Sequence, residues 1–165
     1  MEKVLVFDCD GVLIDSSARY RTVHHPEKGE VIDLEYWRAN TWRALAQDRL
    51  LPHAEFYREK LHNDVDCFVI IATARMMQDN DAEMRHICEV LGKPQALIYR
   101  KEHDTRGGAK LKLAGLRKLL NLRQFKGVEV EIFEDNIAYL KEMCDTVQSW
   151  GFNVIGHYIP SNQGH

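Results

Sequence analysis

Five apolar runs punctuate the chain, at residues 4–8, 67–73, 96–100, 128–134 and 153–159. For the most part they lack the alternation of a half-exposed strand, so they predict strands buried on both faces. Val128-Glu129-Val130-Glu131-Ile132-Phe133 alternates at first, which predicts a partly exposed start to the fourth. Between the strands the spacing changes. Met84, Ile87, Cys88 and Leu91 recur at i, i+3, i+4 and i+7, with cap candidates at 79–81 ahead and Gly92 and Pro94 behind. Leu113, Leu116 and Leu120 mark a second helix, with Gly115 in its interior as a weakening residue. Ile137, Leu140, Cys144 and Val147 mark a third, capped by Asn136 and ended near Gly151. Such strand–helix–strand alternation implies a parallel sheet with helices on its faces.

The segment from about 16 to 66 breaks the pattern. It shows no convincing strand and predicts two helices. One spans about 33–48, with Leu34, Trp37, Thr41, Ala44 and Leu45 inward; the other lies between His53 and His62. Pro26-Glu27-Lys28-Gly29 reads as a loop before them. The expected architecture is α/β: a Rossmann-like three-layer sandwich around a mostly parallel five-stranded sheet. It forms one domain over 1–165, with a small helical insert after the first strand and no large cap domain.

Composition adds exclusions. No apolar run approaches the roughly 20 residues a membrane span needs, and the apolar start at 4–7 is too short for a signal peptide. Cys9, Cys67, Cys88 and Cys144 are scattered, which predicts reduced thiols in a cytoplasmic setting rather than disulfides or zinc. The eight histidines show no metal-ligand spacing. Net charge is −3, but unevenly placed. Residues 100–126 hold nine basic and two acidic side chains, a local +7, while outside them 13 basic residues face 23 acidic ones. That stretch reads either as a solvated helix face or as the side that takes a phosphate-rich substrate.

Ligands of open parallel sheets bind beyond the carboxyl ends of the strands. The first strand delivers Asp8-Cys9-Asp10-Gly11 there, the second Thr73-Ala74-Arg75 and the fourth Glu134-Asp135-Asn136. Asp8 and Asp10, two apart on an extended strand, share one face. Close carboxylates repel unless a cation or a shared proton compensates. Glu134 and Asp135 bring more acid to the same place, so a hard cation with oxygen ligands, Mg2+, is expected. Gly11 allows the sharp turn that follows. A calcium loop needs glycine after the third of three alternating acids, and here glycine directly follows Asp10.

Phe7-Asp8-Cys9-Asp10-Gly11-Val12-Leu13 resembles the first motif of the haloacid dehalogenase (HAD) superfamily. Thr73 after Val69-Ile70-Ile71-Ala72 resembles its second, and Glu134-Asp135 after Ile132-Phe133 its fourth. A basic residue opening the preceding helix is the third. The resemblance runs from Val4 to about Ile155. It implies an Mg2+-dependent phosphatase in which Asp8 attacks phosphorus to form an aspartyl-phosphate. Asp10 would protonate the leaving oxygen and then deprotonate the hydrolytic water, while Thr73 holds a phosphoryl oxygen. The metal would take the Asp8 carboxylate, the Asp10 backbone carbonyl and Asp135, with Glu134 beside them orienting metal-bound water or the lysine. Val12 stands where threonine often follows the glycine, and the acidic pair is Glu-Asp rather than Asp-Asp. Both Lys110 and Lys112 stand near the start of the third-motif helix. Leu113, Leu116, Leu119 and Leu120 follow Lys112 in amphipathic order, whereas counting from Lys110 meets Gly115 and Arg117. Lys112 is therefore expected to offset negative charge on the phosphoryl group, with Lys110 as the fallback.

A narrower resemblance is to the phosphatase half of phage-type polynucleotide kinase-phosphatases. It rests on Arg19 after the first motif, Thr73-Ala74-Arg75, Asp104-Thr105-Arg106, and a closing strand after Trp150-Gly151. No G-x-x-x-x-G-K-[ST] loop occurs, so kinase activity is not implied. The resemblance implies that Arg19, Arg75 and Arg106 bind substrate phosphate, and with the basic stretch it points to a nucleic-acid end, 3′ by resemblance. The alternative is a nucleotidase acting on free nucleotides or another small phosphate ester. A phosphoprotein phosphatase would share the core, a sugar-phosphate mutase would need a larger cap, and a non-catalytic phosphate-binding module would not need Asp8, Asp10, Thr73, Lys112 and Asp135 intact.

Overall fold

Val4, Leu5, Val6 and Phe7 are all sealed from solvent, which a strand achieves only with neighbours on both sides and layers above and below. In the computed structural model, which describes residues 1–15, 22–32, 49–76 and 80–161, this is the central strand β1 (Lys3–Phe7). Around it lie β6 (Cys67–Met76), β7 (Ala96–Arg100), β8 (Glu129–Glu134) and β9 (Asn153–Tyr158). The sheet order is β7-β6-β1-β8-β9 and every pairing is parallel. Phe7 is level with Ile71 on one neighbour and Phe133 on the other. Strand order reverses at β1, so the crevice expected of such sheets opens between the ends of β1 and β8.

Alternation along β1 divides the core in two. Val4 and Val6 face one layer, where Leu113, Leu116 and Leu120 of α3 (Gly108–Leu120) and Leu140, Met143 and Val147 of α4 (Ile137–Ser149) pack. Leu5 and Phe7 face the other, with Ala54 and Tyr57 of α1 (His53–Asn63) and Leu91 of α2 (Asn80–Leu91). Each fully buried large apolar side chain contributes about 1.5–3 kcal/mol. The three helices read from periodicity are all present. Asn136 caps α4 by accepting the Tyr139 N–H at 3.1 Å, and Gly92 ends α2 at φ +97°. Ile137, though in register with the apolar stripe, sits in the first turn and is exposed.

Gly115 does not break α3. A Cβ there would lie 2.7 Å from Ile98 Cγ2, so its absence lets the helix lie close on β7. The insert differs from expectation, because it contains strands. β2 (Ile14–Asp15) pairs antiparallel with β5 (Arg49–Leu50), and β3 (Thr22–His25) pairs with β4 (Gly29–Ile32) in a hairpin. Its turn uses Gly29 at φ +74°, and His25 Nδ1 accepts the Glu27 and Lys28 N–H groups at 3.1 and 3.2 Å. The β-branched ends Thr22-Val23 and Val31-Ile32 favour strand, but four-residue arms are too short for a periodicity to register. The helix expected over 33–48 lies outside the described residues, as do Arg19 and Asp79. No helix among the described residues is long and apolar enough to cross a membrane.

Candidate active site

Beyond β1 the chain turns at once. The Leu13 and Ile14 N–H groups both donate to the Cys9 carbonyl, and Gly11 lies at φ +85°. A Cβ on Gly11 would stand 2.8 Å from both Asp135 Cγ and Ser161 Oγ, so the turn is pressed against the end of β8. Six charged side chains are buried among the described residues: Asp8, Asp10, Arg75, Lys112, Glu134 and Asp135. All stand at the C-terminal ends of the strands or reach there from α3. Buried charge persists only when paired, so the pairing defines the site.

Lys112 is 2% exposed and its Nζ donates to Asp8 Oδ1 at 3.1 Å and to Glu134 Oε2 at 2.7 Å. Lys110 points to solvent. Burial alone would favour neutral lysine, but the adjacent Asp8 and Glu134 outweigh it and raise the Lys112 pKa. Burial, then the charge of Asp8, pushes Glu134 up to about 7 against the pull of Lys112. Arg75 grips Asp10 with its fork, Nε at 2.8 Å from Oδ2 and Nη2 at 2.6 Å from Oδ1. Thr73 is fully buried, and its hydroxyl accepts the Arg75 N–H at 3.1 Å.

Asp8, Glu134 and Asp135 each place one carboxylate oxygen within 4.8 Å of the others. With Asp10 they make four buried acids against two buried bases, a deficit of two positive charges. An all-oxygen donor set short of two charges fits a hard divalent cation. Both Glu134 oxygens already have donors, Lys112 Nζ and, at 3.3 Å, the Asn136 N–H. Asp8 and Asp135 are thus the better-placed ligands, and Glu134 sits against the lysine.

The structure therefore brings together Asp8, Asp10, Thr73, Arg75, Lys112, Glu134 and Asp135. It does not bring Arg106. That side chain is half exposed and pairs with Asp104, Nη2 to Oδ2 at 2.7 Å. Arg19 lies outside the described residues. Two residues escaped the sequence reading. Ser161 Oγ donates to Asp135 Oδ2 at 2.7 Å, and Arg100 reaches three backbone carbonyls. Both stand at or just past ends of the third and fifth strands, so the strand-end rule, applied to every strand, would have found them.

Residues 1–86 match the family model described as bacteriophage T5 5′-deoxynucleotidase. The chain belongs to this family. The T5 5′-deoxynucleotidase match takes in Asp8, Asp10, Thr73 and Arg75, while Lys112, Glu134 and Asp135 lie beyond it. No curated protein matches the sequence. Among solved structures, the HAD domain of effector protein Lem4 from Legionella pneumophila aligns with TM-score 0.60 at 13% identity, over 99% of this chain and 88% of that one. Protein tyrosine kinase A from Mycobacterium tuberculosis aligns with TM-score 0.63 at 15% identity, over 98% and 86%. A HAD-superfamily hydrolase of subfamily IA from Geobacter sulfurreducens aligns with TM-score 0.54 at 12% identity, over 94% and 89%. These likenesses show the shared HAD fold. Membership of the T5 5′-deoxynucleotidase family makes the chain a HAD phosphatase, a hydrolase of phosphoric monoesters.

Proposed function

We propose that the chain is an Mg2+-dependent nucleotidase that removes the phosphate of free deoxynucleoside 5′-monophosphates through an aspartyl-phosphate on Asp8. The observation that carries this reading is the buried cluster of Asp8, Lys112, Glu134 and Asp135, short of two positive charges. Asp8 and Asp135 would hold Mg2+, which supplies positive charge to the phosphoryl oxygens. Lys112 keeps the Asp8 carboxylate aimed and offsets its charge. An Asp8 oxygen bonds to phosphorus as the ester oxygen leaves with a proton from Asp10. Water then attacks the same phosphorus, gives its proton to Asp10, and releases Asp8 and inorganic phosphate. Thr73 holds a phosphoryl oxygen. Arg75, expected to take phosphate, spends its fork on Asp10. An incoming phosphoryl dianion competes for that guanidinium and frees Asp10 to carry the proton.

The placement of the basic stretch favours a small substrate. α3 starts beside the site and runs away from it, so Arg117 and Lys118 fall in its last turn. Arg117 lies 4.8 Å over the Trp150 ring. Arg123 and Lys126 flank the approach to β8, at the opposite end of the sheet. Lys101 and Lys110, exposed near the start of α3, support the second reading, a 3′-phosphorylated nucleic-acid end.

A substrate panel under Mg2+ tests this: deoxynucleoside 5′- and 3′-monophosphates, ribonucleotides, and oligonucleotides phosphorylated at either end. The highest kcat/KM is expected on the 5′-monophosphates. Asp8→Asn, which keeps the shape but cannot form the acyl-phosphate, should lower kcat by at least about 10³-fold, as loss of a nucleophile does. An Asp8→Asn variant retaining the parent's activity refutes the mechanism. Preference for oligonucleotide 3′ ends moves the assignment to the second reading.

A further inference from the structure

The T5 5′-deoxynucleotidase match and the motif residues leave Arg100 without a role, yet it makes three of the better-formed side-chain bonds near the site. Its Nε donates to the Ala74 carbonyl at 3.0 Å, and Nη1 donates to the carbonyls of Asp104 and Arg106, both at 2.7 Å. Two separate parts of the active site meet in those contacts.

The first is the end of β6. Ala72 pairs with Ile98 and Met76 with Arg100, so Thr73, Ala74 and Arg75 together face the single residue Tyr99. This is a bulge of two extra residues, the usual device for re-aiming side chains at a sheet's functional end. Thr73 and Arg75, which flank its centre, both lie buried at the site. Arg100 Nε holds the Ala74 carbonyl at its centre.

The second is the loop at 101–107 that leads into α3. His103 sits at φ +68°, a conformation that non-glycine residues hold only when surroundings impose it. The helix it leads to has no side-chain cap at Gly107. Arg100 holds the carbonyl of Arg106, one residue before that uncapped start, and Lys112 follows within the first turns. The guanidinium is planar and its donors are fixed in a fork, so both segments are locked to one rigid body.

We infer that Arg100 is a positioning residue: it ties the Thr73–Arg75 bulge to the start of the Lys112 helix, and so sets the phosphoryl-binding groups against the lysine without touching substrate. This rests on the proposed phosphatase mechanism. Removing the tether should spare the metal ligands, which come from β1 and β8, and spoil the alignment of groups from β6 and α3.

The test compares Arg100→Ala and Arg100→Lys with the parent on a nucleoside monophosphate, together with direct calorimetric titration of Mg2+. Misplacement of this kind costs up to about 10²-fold, so kcat should fall at least about tenfold in Arg100→Ala while Mg2+ affinity stays within about twofold. Low concentrations of guanidinium ion should restore part of the lost rate to Arg100→Ala, which a merely structural defect would not allow. Arg100→Lys keeps the charge but not the fork, and should lose kcat at an unchanged melting temperature. Parental kcat in both variants overturns the proposal, as does a loss matched by equally weakened Mg2+ binding without rescue. If Arg100→Ala does not fold, Arg100→Lys decides by the same kcat and Mg2+ criteria. If the parent hydrolyses no phosphomonoester, the mechanism has failed, and hydrogen exchange judges the tether. Faster exchange at 73–76 and 101–110 in the variants, with α4 unchanged, sustains it; unaltered exchange overturns it.

Discussion

Glu134 shows how one residue reports on the whole cluster. Its carboxyl is raised from 4.5 to about 7 by burial and by Asp8. The folded protein therefore holds a proton there that the unfolded chain has already released. The associated stability is present below the unfolded value and is lost as pH rises through the folded one. Without metal, the unfolding free energy should fall by on the order of 3 kcal/mol at most between about pH 4.5 and 7 for a shift of that size, and the melting temperature with it. Glu134→Gln should flatten that slope, and saturating Mg2+ should reduce it, since a dication favours the ionised carboxylates. A pH-independent melting temperature across this window would contradict the raised Glu134 carboxyl. Ser161 works at the same scale. Its hydroxyl holds Asp135 at 2.7 Å, and loss of such a ligand-orienting bond weakens metal affinity about tenfold or more. Ser161→Ala should therefore raise the Mg2+ concentration for half-saturation in calorimetry, with kcat near the parent's once metal saturates. Unchanged affinity would remove Ser161 from that role.

Elements carry the next lesson, through α3. Alanine at an exposed helix interior position is favoured over glycine by about 1 kcal/mol. At Gly115 the sign should reverse, because the added methyl meets Ile98 at 2.7 Å and overpacking costs about 1–3 kcal/mol. Gly115→Ala should lower the melting temperature by a few degrees, and a rise would show that α3 can lift off β7 cheaply. The same element marks the limit of legibility. Its existence and the inward position of its lysine were readable, because Leu113, Leu116 and Leu120 follow Lys112 in helical order. That Gly115 serves a close approach was not, because the reason lies in Ile98 on another strand. The five strands were readable as apolar runs, but the expected burial on both faces holds only for β1 and most of β6; β7 and β9 lie at the sheet edges, and β9 is largely exposed. The β3–β4 hairpin was not readable, its arms being too short to show a period. Asp8, Asp10, Glu134 and Asp135 were readable as an acidic convergence, whereas the pairing of Arg106 with Asp104 leaves no mark on the sequence.

At the scale of the molecule, the site is assembled from distant parts. Lys112 meets Asp8 across 104 positions, and Glu134 stands later still. β1 has β6 on one side and β8 on the other. During synthesis its first partner emerges about 64 residues after it and its second about 126 residues after it. A fragment ending at 86 would keep Asp8, Asp10, Thr73 and Arg75, yet leave the innermost strand with a bare row of backbone donors and acceptors along one flank. Such a row invites any other extended chain to pair with it. The strand best protected in the full fold is thus the most adhesive surface of any chain that stops short of β8.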